Sequence, residues 1–226
     1  MRRFLFVVML ACSAAAHAVN LADLSNKDAV AGLKEALTKS AGSAVSKLGK
    51  VDGFLGNPQV KIPLPDSLQQ VDRLLRTFGQ GRYADELVTT MNRAAEAAVP
   101  QAKALLIQAV KQMSVQDAKH ILSGGDTAAT DYFRSKTAQP LAAKFLPIVQ
   151  KTTAKLQLAQ KYDQFAGKAS RFGLVDQNQA NIEQYVTQKT LDGLYLMMAQ
   201  EEKAIRADPI GQGSKLLSRV FGAIDQ

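Results

Sequence analysis

The chain has 226 residues, of which 46% are apolar, and it carries a formal charge of +8 with a single cysteine and two histidines. This is enough apolar material for one substantial core. One cysteine excludes a disulfide framework, and the positive charge comes with no recognised nucleic-acid motif, which argues against a dedicated nucleic-acid binder.

Residues 1–18 read as a secretory signal peptide. Arg2 and Arg3 form a basic start, Phe4 to Leu10 is apolar, and Ala16-His17-Ala18 matches an A-x-A cleavage site. Cleavage there removes Cys12 and one histidine, and leaves a mature chain of about +6 over residues 19–226. An alternative makes Leu10-Ala11-Cys12 a lipobox, with Cys12 lipidated. The short apolar core before Cys12 and the indifferent Met9 favour cleavage after Ala18. No later segment holds eighteen consecutive apolar residues, so the expectation is a soluble periplasmic protein without a transmembrane helix.

The mature chain reads as helix after helix. Ser25 to Asp28 suits a capping box, and Val30, Leu33, Leu37, Ala41, Ala44 and Leu48 follow at helical spacing up to Gly49. Residues 50–65 break the pattern. Gly53, Gly56, Pro58, Pro63 and Pro65 exclude a helix, while Val60, Ile62 and Leu64 alternate with Lys61 and Pro63. This is an extended arm, either laid across the helices or linking a small N-terminal unit to the rest.

A second helix opens near Asp66 with Leu68, Val71, Leu74, Leu75 and Phe78 on one stripe, and Gly79 and Gly81 end it. The third carries Ala84, Leu87, Met91, Ala94, Ala95 and Ala98, and its small residues permit close neighbours. Pro100 suits the start of a helix over 100–113. Ser114 to Asp117 is a second capping box, opening a short helix to Leu122. Gly124-Gly125 then turns the chain into a helix over 126–137, with Gly as a left-handed terminator and Asp126 as N-cap.

Pro140 is expected to begin another helix and Pro147 to kink or split it. Leu158, Tyr162, Phe165, Ala169 and Phe172 continue a helical stripe. A long helix from about Asn178 to Ala207 is apolar nearly all round its middle, as a central helix would be, and Ser214 caps a last short one. The expectation is an all-α, bundle-like domain of about eight helices with a Pro/Gly-containing arm near 50–65.

Few catalytic sets can be assembled from these residues. One histidine, His120, and no mature cysteine rule out a zinc site of nitrogen and sulfur ligands and a Ser-His-acid triad. Asp126 and Asp131 would stand about 140° apart around a helix, which is a poor shared grip on calcium. The Gly-Gly-Asp-Thr run has no preceding strand and no P-loop lysine, so a self-capped corner suits it better than a phosphate site. Glu201 and Glu202 look like a solvated pair. A polar cluster is more suggestive: Asn92, Arg93 and Glu96 in the alanine-rich helix, with Asp126, Thr130, Asp131, Tyr132 and Arg134 near the corner. Such groups either fix the packing through hydrogen bonds or form the floor of a pocket. No cofactor and no metal is expected.

Several of these runs also resemble one bacterial family. They are Lys61-Ile-Pro-Leu-Pro65, Met91-Asn-Arg-Ala-Ala-Glu96, Asp117 to Gly125, Ala128 to Arg134, Lys136-Thr137 and the final Asp208 to Leu217. Together they are similar to the domain of unknown function 4197, across essentially the whole mature chain. The resemblance implies an exported, mainly Gram-negative, all-helical protein. It implies no established activity and no assigned catalytic residue.

Three functions follow as expectations. The first is a non-catalytic binding module for a hydrophobic or lipid-like ligand or an envelope partner, which requires an enclosed apolar cavity near Tyr132 and the long helix. The second is a structural or assembly protein of the envelope, which requires an exposed apolar patch, with the arm at 54–64 as its candidate. The third is a carboxylate enzyme, which requires Glu96 and Asp126 or Asp131 to converge in a cleft.

Overall fold

The structure, a computed structural model, describes residues 26–155, 157, 161 and 182–208. The signal peptide, the Ser25 cap, the stripe over 158–172, the start of the long helix at 178–181 and the last short helix lie outside these residues. The described chain is helical: α1 (Asn26–Leu48), α2 (Asp66–Thr77), α3 (Arg82–Ala98), α4 (Ala102–Gln112), α5 (Val115–Leu122), α6 (Ala128–Lys155) and α7 (Ile182–Ala207). A 3-10 turn, Val99–Gln101, contains Pro100 and leads from α3 into α4.

The all-α expectation holds, but the count differs. Among the described residues there are seven α-helices rather than about eight, because Pro140 and Pro147 both stand inside α6 without dividing it. Thr137, Leu141, Phe145, Val149 and Thr153 form an unbroken buried ridge at i+4 spacing through both prolines. The carbonyls of Lys136 and Ala143 lose their usual helical donors, but both residues are exposed, and water can satisfy them. Packing therefore outweighs the local cost of the prolines.

α7 lies at the centre, against α6, α1 and α3, and α6 also packs on α3, α4 and α5. Leu191, Leu194, Tyr195 and Met198 of α7 are buried in the same core as Phe133 and Phe145 of α6 and Leu33 and Leu48 of α1. The Tyr195 hydroxyl is shared with Thr137 at 2.8 Å, so the largest buried polar tip has a partner. Burial raises the Tyr195 pKa, partly offset by that bond and by Arg134. α1 packs on α4, α5 and α7, so the segment before the arm belongs to this common core.

The arm lies against the helices, but it is not extended throughout as expected: residues 51–56 and 58–60 are turns, closed by bonds such as the Gly56 amide to the Asp52 carbonyl at 3.1 Å and the Lys61 amide to the Asn57 carbonyl at 2.8 Å. Phe54, Val60, Ile62 and Leu64 are buried. Phe54 sits directly over Gly193 of α7: a Cβ added to Gly193 would lie 2.7 Å from the ring and 3.3 Å from Val60. Gly193→Ala is therefore expected to lower stability by about 1–2 kcal/mol, despite the roughly 1 kcal/mol better helix propensity of alanine. Gly42, inside α1, has nothing within 4 Å of the same added atom. Gly42→Ala should instead stabilise by about 0.5–1 kcal/mol. Urea melts of the pair check both signs, and a stabilised Gly193 variant would contradict the close approach.

Candidate functional site

The sequence-predicted polar residues fall into separate groups. The first joins α3 to the arm. Asn92 is fully buried, and its side chain pairs with Ile62 as a neighbouring strand would: Oδ1 accepts from the Ile62 amide at 2.8 Å and Nδ2 donates to the Ile62 carbonyl at 2.9 Å. Asn92 Nδ2 also donates to the Val88 carbonyl at 2.8 Å. Glu96, one turn on, accepts from the amides of Phe54 and Leu55 through Oε1, both at 3.1 Å. Its Oε2 accepts from Arg93 at 2.7 Å, and Arg93 in turn reaches Asp52 at 2.8 Å. The two carboxylates, Glu96 first, raise the Arg93 pKa further. Asp52 takes φ +65°, a left-handed conformation that aspartate tolerates better than most residues. Three polar residues of α3 thus supply the partners that a strand or turn would otherwise give the arm.

The second group holds the glycine corner, and its key residue is Glu202. This carboxylate is buried, not solvated as its adjacency to Glu201 suggests. Its Oε1 accepts from the Ala129 amide at 2.9 Å, and its Oε2 accepts from the Thr130 amide and hydroxyl at 2.9 and 2.8 Å. Arg206 donates to Glu202 Oε1 at 2.9 Å and to the Ile121 carbonyl at 3.0 Å. The first amides of α6 are therefore satisfied by a side chain of α7, where a negative charge also meets the positive end of the helix dipole. Asp126 is exposed and is not the cap, and neither Gly124 nor Gly125 takes a positive φ. Gly124 is required by space, since a Cβ there would lie 2.6 Å from the Ala128 side chain, whereas one on Gly125 would meet nothing within 4 Å. Glu201 pairs with Lys47 of α1.

The remaining cluster members disperse. Asp131 accepts from the Thr127 hydroxyl at 3.3 Å, Tyr132 donates to the Ala109 carbonyl at 3.2 Å, and Arg134 lies 4.6 Å over the Tyr195 ring and 3.7 Å from Asp192. Among the described residues no hydrogen bond or ion pair links Asn92, Arg93 and Glu96 to Asp126, Thr130, Asp131, Tyr132 or Arg134. The convergence that a carboxylate enzyme requires is not seen, since Glu96 spends both oxygens on the arm and Arg93. The apolar patch sought on the arm at 54–64 is not seen either: Phe54, Val60, Ile62 and Leu64 are buried and Leu55 is half-buried, which leaves Pro58 and Pro63 exposed singly.

Beside Tyr132 the protein opens outward. A cleft of about 520 Å³ is lined by Asp117, His120, Gly124, Gly125, Asp131, Tyr132 and Lys136, among others. A groove of about 350 Å³ adjoins it, sharing Asp117, Tyr132 and Lys136 and adding Leu105, Gln108, Ala109 and Gln112 of α4 and Pro140 of α6. This is an open surface of mixed polarity where an enclosed apolar cavity was expected. Asp117 is committed to the Ser114 capping box, accepting from the Ser114 amide at 2.9 Å and its hydroxyl at 2.7 Å. These bonds, aided by Lys136 and His120, hold its carboxyl below the usual range. Burial, and then the Asp117 charge, raise the Tyr132 phenol.

The capping box was legible from Ser114 and Asp117, and Tyr132 was singled out. Gln108 and Gln112 were not, and Lys136 entered only within a run resembling the family, because exposed lysines and glutamines on helices carry no pattern of their own. Among the described residues no three His, Cys, Asp or Glu side chains are grouped to hold a metal ion. No helix there is long and apolar enough to cross a membrane.

A family model described as protein of unknown function (DUF4197) matches residues 23–222. No curated protein and no solved structure matches the chain.

Proposed function

The chain belongs to the DUF4197 family, and from that premise we propose that it is an exported, non-catalytic binding module for a polypeptide partner of the cell envelope. Its recognition surface is the cleft and groove on either side of Tyr132. The observation that carries this reading is the size and lining of that surface: about 520 Å³ running into about 350 Å³, open and with both aromatic and polar contacts. An open mixed surface suits a chain laid along it better than a lipid, which needs an enclosed apolar wall. Export rests on the basic start, apolar run and Ala16-His17-Ala18 site of residues 1–18.

Two measurements test the parts. Amide NMR with a library of short peptides should show shifts focused on Gly124, Gly125, Tyr132 and Lys136, and Tyr132→Ala should abolish them while leaving the helical circular dichroism intact. Shifts scattered over the surface would remove the support for this site. For export, the intact mass of protein recovered from a periplasmic fraction should correspond to a chain starting at Val19. A membrane-bound, lipidated species starting at Cys12 would replace the soluble reading with a lipoprotein, and a cytoplasmic chain retaining Met1 would end both.

A further inference from the structure

Polar side chains of one helix in this fold already hold a non-helical segment by its backbone. Asn92 of α3 meets both the amide and the carbonyl of Ile62, and Glu96, one turn further along, accepts from the amides of Phe54 and Leu55. α4 repeats the device without a partner. Gln108 and Gln112 stand one turn apart on it, both exposed and both lining the groove between α4 and α6. Neither side chain forms a hydrogen bond among the described residues, and each can donate and accept at once.

The rest of the lining narrows the occupant. The Thr137 hydroxyl is taken by the Phe133 carbonyl and Tyr195, and the Tyr132 hydroxyl by the Ala109 carbonyl. Asp117 and Lys136 offset each other in charge, so the lining selects neither an acidic nor a basic segment. Among the described residues the two glutamine amides are thus the free uncharged polar groups of the groove, beside apolar Leu105, Ala109 and Pro140.

Their spacing fits a strand. Four residues of helix rise about 6 Å. Two residues of extended chain rise about 6.6 Å. In such a chain the amide and carbonyl of one residue point to the same edge, as do those of the residue two places along. We propose that the groove reads the main chain of an extended, uncharged polypeptide segment. Gln108 pairs with the amide and carbonyl of one of its residues, as Asn92 does with Ile62, and Gln112 with those of the residue two places along. The inference rests on the reading of the cleft as a partner site and adds how the partner is held: by its backbone, with tolerance of its side chains.

The test uses the purified protein and a short fluorescent peptide of alternating serine and valine. A second peptide carries N-methyl groups on the valines, which keeps the side chains and removes the amide hydrogens of one edge. A third, of alternating threonine and alanine, changes the side chains and keeps the backbone. The first and third should bind comparably, and N-methylation should weaken binding more than about tenfold. The double substitution Gln108→Ala/Gln112→Ala should cost as much, while Gln150→Ala, at an exposed glutamine of α6 outside the groove lining, should cost nothing. Unchanged binding after N-methylation or after the double substitution overturns the backbone reading and leaves the cleft reading intact. A loss with Gln150→Ala as large as with the pair does the same. If no peptide binds the inference fails, and if the peptide library also leaves Tyr132 unperturbed the cleft reading fails with it.

Discussion

Glu96→Ala is expected to destabilise the fold by about 3–5 kcal/mol, the range for removing one partner of a buried ionic network. The carboxylate is only 5% exposed, and it is the acceptor for the amides of Phe54 and Leu55 and for Arg93. Alanine leaves two amides without their acceptor and a guanidinium with Asp52 as its remaining ionic partner. The effect should not stay local. Phe54 is fully buried over Gly193, so an arm that loses its anchor exposes a large ring and opens a hole against α7. Glu96→Gln is the informative companion. It keeps an oxygen for the two amides but turns an NH2 donor toward Arg93, losing that charge-assisted bond while Asp52 still holds the guanidinium, so its cost should be smaller, about 1–3 kcal/mol. Urea denaturation with arm-specific hydrogen exchange measures both, and equal effects for Ala and Gln would show that the amide contacts contribute nothing.

Glu202→Ala is the second large loss, again about 3–5 kcal/mol. It strips the acceptor from the amides of Ala129 and Thr130 and from the Thr130 hydroxyl, and leaves Arg206 with the Ile121 carbonyl. The first turn of α6 should then fray, with fast exchange at Ala129 and Thr130 while the ridge from Leu141 to Val149 stays protected. The two carboxylates share no partner among the described residues, so the losses should add in a double variant. Since a domain of this kind is stable by roughly 5–15 kcal/mol, that variant is expected to be partly unfolded at room temperature. A double variant no worse than either single one would mean that the two contacts are coupled through the core.

Much of the helical frame was legible because periodicity survives in a single sequence. The stripe from Leu33 to Leu48, the Ser114 cap and the apolar middle of α7 all appear where the spacing puts them. Two features were not legible, for different reasons. The continuity of α6 through Pro140 and Pro147 comes from packing of its buried ridge, a tertiary term that outweighs a local rule. The role of Glu202 was hidden by its neighbour: two adjacent glutamates look solvated. Yet Glu202 falls on the buried stripe of Leu191, Leu194, Met198 and Ile205, and an acid on such a stripe demands a partner. Asn92 and Glu96 were recognised as polar groups that had to be satisfied. Their partner, the backbone of the arm, offers no side-chain signature that could have named it.

The cap on α6 also has a consequence in time. Glu202 lies 73 residues beyond Ala129. A contact across so long a loop carries a closure cost that a local cap does not, so closure of the glycine corner is expected after the local turns of α6 have formed. Interactions formed after the rate-limiting barrier act mainly on how slowly a protein comes apart. The Glu202 contacts should thus govern the lifetime of the folded protein more than the speed at which it forms.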